Sequence, residues 1–483
     1  MRLGVVQRIL GLLLMLFSFT MLPPALVSYI YQNNNADAFI YAFAFTVISG
    51  MLFWLPARNQ LEELRLRDGF LIVAAFWFGL GSFGALPFLF IQVPEIHFTD
   101  ALFESMSGLT TTGATILSNL DGLPESLLYY RQQLQWLGGM GIIVLAVAVL
   151  PMLGVGGMQL YRAEIAGPVK DTKLTPRITE TAKALWYIYL GLTIICGISY
   201  FIAGMNIFDA VCHAFSTVSI GGFSTHDDSI GYFDSTMINT VAIIFMFLAG
   251  INFSLHFLAW RNKRLLDYIH DSEFRMYARV LLVLSVVVCV YLYSVNEFNS
   301  LGELINQGIF QVVSISTTTG FTTTNFSNWP GAIPVILIFS SFIGACAGST
   351  GGGMKVMRVL LLYRQGLREI KRLVHPNAEI PVKLGGTPVP SRVIEAVWGF
   401  FAVYVAVFIV MMLMLLFNGV DQITAFSAIA ASLNNLGPGL GEVAISYENM
   451  SNLSKWVCVA AMLLGRLEIF TLLVIISKSF WEI

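Results

Sequence analysis

Apolar stretches of about 20 residues or more recur along this chain, each long enough to cross ~30 Å of hydrocarbon as a helix. Ten are predicted, at about 8–30, 38–56, 70–92, 134–153, 184–204, 236–260, 277–295, 333–363, 393–418 and 455–477. Inside a bilayer the backbone must satisfy its own N–H and C=O groups, which leaves helices and closed barrels. Runs this long and this apolar select helices, so the expected class is an all-α polytopic protein in a lipid bilayer. A charged content of 12% agrees, since soluble proteins carry about twice that. The net charge of −2 supplies no basic field for a nucleic-acid partner. The N-terminal apolar run is too long for a signal-peptide core and no A-x-A-like site follows it, so it reads as a retained first span.

Loop charges set the orientation. Arg58, Arg65 and Arg67 open one set of loops, which goes on through 162–183, 261–279 and 364–392 with most of the Lys and Arg. The opposite loops hold Asp100, Asp121, Asp209, Asp227, Asp228, Asp234 and Glu442, with little basic beyond Arg131 and Lys455. By the positive-inside rule both termini are cytoplasmic. Four short apolar segments, 100–110, 208–218, 304–316 and 422–433, then lie on the outer side. Each reaches only about half-way across as a helix and must return to the side it entered from.

These four segments repeat. "DALFESMSGLTTTGAT" from Asp100, "DAVCHAFSTVSIGGFST" from Asp209, "QGIFQVVSISTTTGFTT" from Gln307 and "TAFSAIAASLNNLGPGLG" from Thr424 align without gaps. Gly113, Gly222, Gly320 and Gly437 fall in one column, and Ala101, Ala210, Gly308 and Ala425 in another. Each copy reads as span, re-entrant helix, Gly-bearing loop, span. The expected division is 1–68 for two N-terminal spans, then pore repeats at 69–155, 156–262, 263–365 and 366–483, in pseudo-fourfold order around one pore.

Irregular backbone at membrane depth must be buried in protein or line a cavity. Four such loops around one axis can offer carbonyl oxygens in place of an ion's hydration shell. Glycine permits the positive φ angles that inward carbonyls require. The short helices aim their negative C-terminal ends at the axis, which favours a cation. Oxygen-rich loops without an Asp/Glu ring point to K⁺ rather than Ca²⁺. Read singly, each "TTTG" is equally a polar turn between helices; the fourfold placement argues for the filter. The five cysteines form no CxxC pair and the histidines have no metal spacing.

With its "TTTG"-type loops, two leading spans and a Gly-rich third inner span, the chain resembles the Trk/Ktr/HKT superfamily of potassium transporters, most closely its bacterial TrkH/TrkG branch. The resemblance implies K⁺ uptake across the bacterial inner membrane, Rb⁺ often accepted, and no organic cofactor in this chain. It implies a homodimer with one pore per protomer and a cytosolic nucleotide-binding partner ring of the TrkA kind. Its ion-coordinating positions map onto Thr111, Thr112 and Gly113; Ile220, Gly221 and Gly222; Thr318, Thr319 and Gly320; and Asn435, Leu436 and Gly437. "NNLGPG" departs most from the pattern.

The third inner span would be roughly 46 Å long as one helix, too long for a bilayer unless it unwinds. Gly344, Gly348, Gly351, Gly352 and Gly353 mark the place. The resemblance implies an intramembrane loop below the filter, and we expect a gate there: Gly348, Ser349, Thr350, Gly351, Gly352, Gly353 and Lys355, with Arg466 at equal depth on the last span. Arg466 is expected to donate to loop carbonyls or to Ser349 and Thr350. Alternatively it pairs with Glu468, and Lys355 either pairs with Glu468 or snorkels to the cytoplasm. "GSTGGGMK" is not a phosphate loop, because Met354 separates the glycines from Lys355 and Val356 follows it.

Three functions compete. A gated K⁺ channel fits four same-direction repeats. A K⁺/H⁺ or K⁺/Na⁺ symporter needs buried relays, for which Glu104, His213, His256, Glu395 and Glu468 are the candidates. A membrane enzyme lacks a catalytic dyad or metal cluster.

Overall fold

The computed structural model describes residues 3–60, 66–92, 94–144 and 178–482. The expected boundary at 155/156, the end of the 134–153 span, and Arg65, Arg162, Lys170, Lys173 and Arg177 lie outside the described residues.

Among the described residues the regular structure is helical, apart from a two-stranded antiparallel hairpin, Lys383–Leu384 with Thr387–Pro388. Two N-terminal crossings comprise α1 (Leu3–Ser18) with α2 (Leu22–Tyr31), and α3 (Ala36–Ala57). Gly11 and Gly50 let α1 and α3 touch, since a Cβ on either would sit within 3 Å of the other helix's backbone. Then come α4 (Leu66–Gly84), α5 (Leu86–Phe90), the short α6 (Phe98–Leu109) and α7 (Glu125–Val144). Next are α8 (Ile178–Ile202), the short α9 (Ile207–Val218), α10 (Thr236–Ala249), α11 (Phe253–Asn262) and α12 (Leu266–His270). They are followed by α13 (Ser272–Ser294), the short α14 (Leu301–Ser316), α15 (Ile333–Ile343) and α16 (Val356–Val374). Last come α17 (Ser391–Phe417), the short α18 (Gln422–Leu433), α19 (Asn452–Arg466), α20 (Phe470–Ile476) and α21 (Lys478–Trp481).

Among the described residues, six helices are long and apolar enough to cross a membrane, or eight if two bent pairs each count as one span. Two of the ten expected spans are not counted on that basis: 134–153, whose end lies outside the described residues, and 333–363. Helix α7 carries Arg131, Gln132, Gln133 and Gln135, which read as loop in the sequence but are buried in the protein interior. The span expected from 134 therefore starts at Glu125. Helix α15 has only 11 residues before the chain unwinds.

Three expected spans are broken. The stretch 236–260 bends by 92° between α10 and α11, and 455–477 bends by 112° between α19 and α20. The stretch 333–363 is non-helical between Ile343 and Val356. After that gap, α16 runs to Val374, past the boundary expected at 365/366.

The four short helices form a circuit. Each packs against the helices before and after it in the chain: α4 and α7 flank α6, α8 and α10 flank α9, α13 and α15 flank α14, α17 and α19 flank α18. Each also touches the helix that follows the previous short helix, so α7 meets α9, α10 meets α14, α15 meets α18 and α19 meets α6. The short helices start cleanly where a side chain can accept a free N–H, at Asn206, Ser300 and Asp421. Their interiors are buried, as a helix surrounded by other helices must be. Arg131 and Lys455, expected in outer loops, are instead buried and paired with Glu104 and Asp100, each at 2.7 Å.

Candidate ion pathway

The short helices all end in the same way. Thr112, Gly221, Thr319 and Leu436 donate their N–H groups five residues back, to the carbonyls of Ser107, Ser216, Ser314 and Ala431, at 2.7–2.9 Å. This is the Schellman closure, and it needs a left-handed residue just before the donor. Thr111, Ile220, Thr318 and Asn435 take that conformation, with φ of 54°, 55°, 69° and 54°. Glycine usually fills such a position, and a β-branched residue there is a backbone outlier. The sequence pointed to the glycine column; the left-handed residues two positions earlier carried no signal.

The glycine column then turns the chain a second time, with φ of 81°, 79°, 83° and 97° at Gly113, Gly222, Gly320 and Gly437. A Cβ on Gly113 would lie 2.1 Å from the Gly221 carbonyl oxygen. One on Gly222 would lie 2.0 Å from that of Thr319, and one on Gly320 would lie 2.1 Å from that of Leu436. One on Gly437 would lie 2.7 Å from that of Thr112, which closes the ring. All twelve sequence-selected positions thus belong to four successive loops, each seated against the next.

The Gly-rich segment lies directly against this ring. Gly352 N–H donates to Thr318 Oγ1 at 2.7 Å and Gly353 N–H to the Asn434 carbonyl at 3.0 Å. Thr350 Oγ1 donates to the Val218 carbonyl at 3.0 Å. A Cβ on Gly352 would fall 1.9 Å from the Asn434 oxygen, so only glycine fits. Its other edge enters the break between α10 and α11, where Cys346 N–H donates to Gly250 and Phe253 N–H to Gly348. Glu273 accepts the Ala347 N–H at 2.7 Å, and Ser349 Oγ donates to Cys346 within the loop.

Arg466 is buried and donates from both Nη atoms to the Thr350 carbonyl at 3.3 Å. Lys355 Nζ donates to the Gly351 carbonyl. Glu468, weighed as partner for Arg466 and Lys355, accepts from Arg358 at 2.8 Å. Arg358 falls inside the expected 333–363 span and carried no signal in the sequence. In the structure it is buried, sits 4.4 Å from the Phe400 ring centroid and donates to the Met354 carbonyl. A cavity of about 50 Å³ borders the loop, lined among others by Lys355, Arg358, Asn435, Arg466 and Glu468. That is room for a few water molecules.

The symport candidates are engaged elsewhere. Glu104 is paired with Arg131, and His213 bridges the Asp209 carbonyl and Ser224 Oγ at 2.9 Å each. His256 lies between Tyr268 and the Leu248 carbonyl, and Glu395 is exposed.

Comparison with known proteins agrees with this geometry. Residues 35–483 match the TrkH family, described as a cation transport protein. The chain is 56% identical to the Trk system potassium uptake protein TrkH of Vibrio parahaemolyticus, over 98% of each chain. It is 55% identical to that of Escherichia coli over 99% of each, and 40% identical to the Escherichia coli TrkG protein over 99% of this chain and 98% of that one. The crystal structure of the potassium transporter TrkH from Vibrio parahaemolyticus superposes with a TM-score of 0.93 at 53% identity, covering all of both chains. The chain therefore belongs to the TrkH family of cation transport proteins.

Proposed function

We propose that this chain takes up potassium across the bacterial inner membrane through a channel-like filter built from its four loops. The observation that carries this reading is the closed ring in which each column glycine lies against the carbonyl of the next loop. Such a ring holds backbone oxygens at fixed spacing, which K⁺ accepts in place of water. The coordinating residues are Thr111, Thr112 and Gly113, Ile220, Gly221 and Gly222, Thr318, Thr319 and Gly320, and Asn435, Leu436 and Gly437. Rb⁺ would pass as well. Ten crossings in pseudo-fourfold order, with both termini cytoplasmic, fit the helix circuit if α7 counts as one crossing and α15 to α16 as another.

The segment from Gly348 to Gly353, with Lys355 and Arg466, is the gate. It touches two of the four loops and the end of the short helix α9 before a third. Its contacts to the loops are hydrogen bonds from Gly352, Gly353 and Thr350 that a modest rearrangement can exchange. The names of the relatives place them in a Trk system. On that basis the functional unit is a homodimer whose gate answers to a cytosolic nucleotide-binding ring of the TrkA kind. The channel reading is favoured over symport because Glu104, His213 and His256 are held by internal partners.

Reconstitution in liposomes tests this. Under a K⁺ gradient the current should reverse at the K⁺ equilibrium potential and should not move with pH. A reversal potential that follows the proton gradient would establish symport instead.

A further inference from the structure

The four loops are alike in backbone but not in what stiffens them. In the first, Thr110 and Thr112 share a hydroxyl–hydroxyl hydrogen bond of 2.8 Å. In the third, Thr317 and Thr319 make the same bond at the same length. These residues stand three and one positions before the column glycine. In the second loop those positions are Ser219 and Gly221. Gly221 has no side chain, so the internal brace cannot form.

Another residue fills the space. Gln135 of α7 is fully buried beside the second loop. Its Nε2 donates to the Gly221 carbonyl at 2.5 Å, and its Oε1 accepts the Phe223 N–H at 3.1 Å. The two bonds straddle Gly222 and fix the peptide groups on either side of it. A Cβ built on Gly221 would lie 2.4 Å from Gln135 Cδ, 2.5 Å from Oε1 and 2.8 Å from Nε2. Those are its nearest neighbours, and Gly221 itself does not have a positive φ. A side chain at 221 is therefore barred by Gln135, not by the backbone.

We infer that Gln135 is a positioning residue for ion selectivity, and that it and Gly221 are a matched pair replacing the threonine brace of the first and third loops. This rests on the filter reading above. Gln135 belongs to the segment of the first loop but holds the second, so the geometry of one carbonyl layer depends on a helix outside its own repeat. The amide serves where a carboxylate would not, because it must donate to one backbone group and accept from another.

The test is a double-mutant cycle on the full-length protein in liposomes, with the K⁺-over-Na⁺ permeability ratio as readout. Gln135→Ala should lower that ratio by about tenfold, the scale of one lost hydrogen bond to a buried carbonyl. Gly221→Thr should lower it too, by driving Gln135 out of place. The combination Gln135→Ala with Gly221→Thr should recover most of the ratio, because the introduced hydroxyl can then bond Ser219 as Thr112 bonds Thr110. Gly320→Ser serves as a filter control. If the double variant is as unselective as the worse single variant, or if Gln135→Ala leaves selectivity unchanged while Gly320→Ser alters it, the brace is overturned and the filter stands. If neither alters it, both readings fall. Should the single variants not fold, restored folding and selectivity in the double variant still supports the pair, and a double variant that also fails to fold overturns it.

Discussion

Arg131 and Glu104 form an ion pair closed off from solvent, with Nε and Oε1 2.7 Å apart. Arg131 also donates to the Ser224 carbonyl at 3.1 Å and to Thr115 Oγ1 at 3.0 Å, and its guanidinium lies 4.3 Å from the Phe223 ring centroid. Glu104 in turn accepts the Ile116 N–H at 3.0 Å. One ion pair thus ties together the segments that follow the first and second column glycines. Arg131→Ala would leave Glu104 charged and buried, and should destabilise the protein by about 3–5 kcal/mol. Replacing both residues with apolar ones of similar volume should be milder than either single change. Thermal unfolding in detergent checks both; a double variant as unstable as the worse single one would contradict the pairing.

The column glycines should differ in tolerance. Serine at Gly113, Gly222 or Gly320 places a Cβ about 2 Å from a carbonyl oxygen at a positive φ. Each should lower the K⁺-over-Na⁺ permeability ratio by about tenfold or more, ~1.4 kcal/mol of discrimination. Gly437 leaves 2.7 Å, so Gly437→Ser should be the mildest. Ion-flux competition in liposomes ranks the four.

Arg466→Ala removes both donors to the Thr350 carbonyl. Basal K⁺ flux should rise by about tenfold, since a hydrogen bond from a charged group is worth ~1.5–3 kcal/mol. Arg466→Lys keeps the charge and should raise flux less. Unchanged flux in Arg466→Ala would leave the contact a purely structural one.

In the segment after the second loop, His226 lies between the carboxylates of Asp121 and Asp209 and stacks on Tyr232 at 3.5 Å. Burial disfavours its charge, but hydrogen bonds to Asp209 and Asp121 outweigh that and raise its pKa above the ordinary ~6.5. A raised pKa in the folded state means that the charged clamp stabilises fully below the unfolded value and is lost as pH rises through the folded one. The melting temperature of the native protein minus that of His226→Gln should therefore be largest in mild acid and shrink toward alkaline pH. A difference that does not vary with pH would mean that the charged form contributes nothing.

The four loops could be read from sequence because their pattern is written four times. The repeated "TTTG" and the glycine column located the four turns, and the odd glycines after Ile343 located the unwound segment. Other features left no local trace. The bend at Gly250–Asn252 has apolar residues on both sides and looks like continuous span. The start of α7 looked like loop because Arg131, Gln132, Gln133 and Gln135 are polar; their burial depends on partners over distances in sequence that no local pattern encodes. Ile220 in a left-handed conformation goes against its own preference and is held there by the closure around it.

A closed circuit of loops has no terminus at which a change can be absorbed. Because each turning glycine rests on a neighbour's carbonyl, and the last rests on the first, the four copies cannot drift independently as separate modules would. A substitution in one is answered next door, as the empty place at Gly221 is answered by Gln135. The likeness of the four loops is then less a relic of duplication than a standing mechanical requirement, and the departure at Gly221 is met by a complementary one at Gln135.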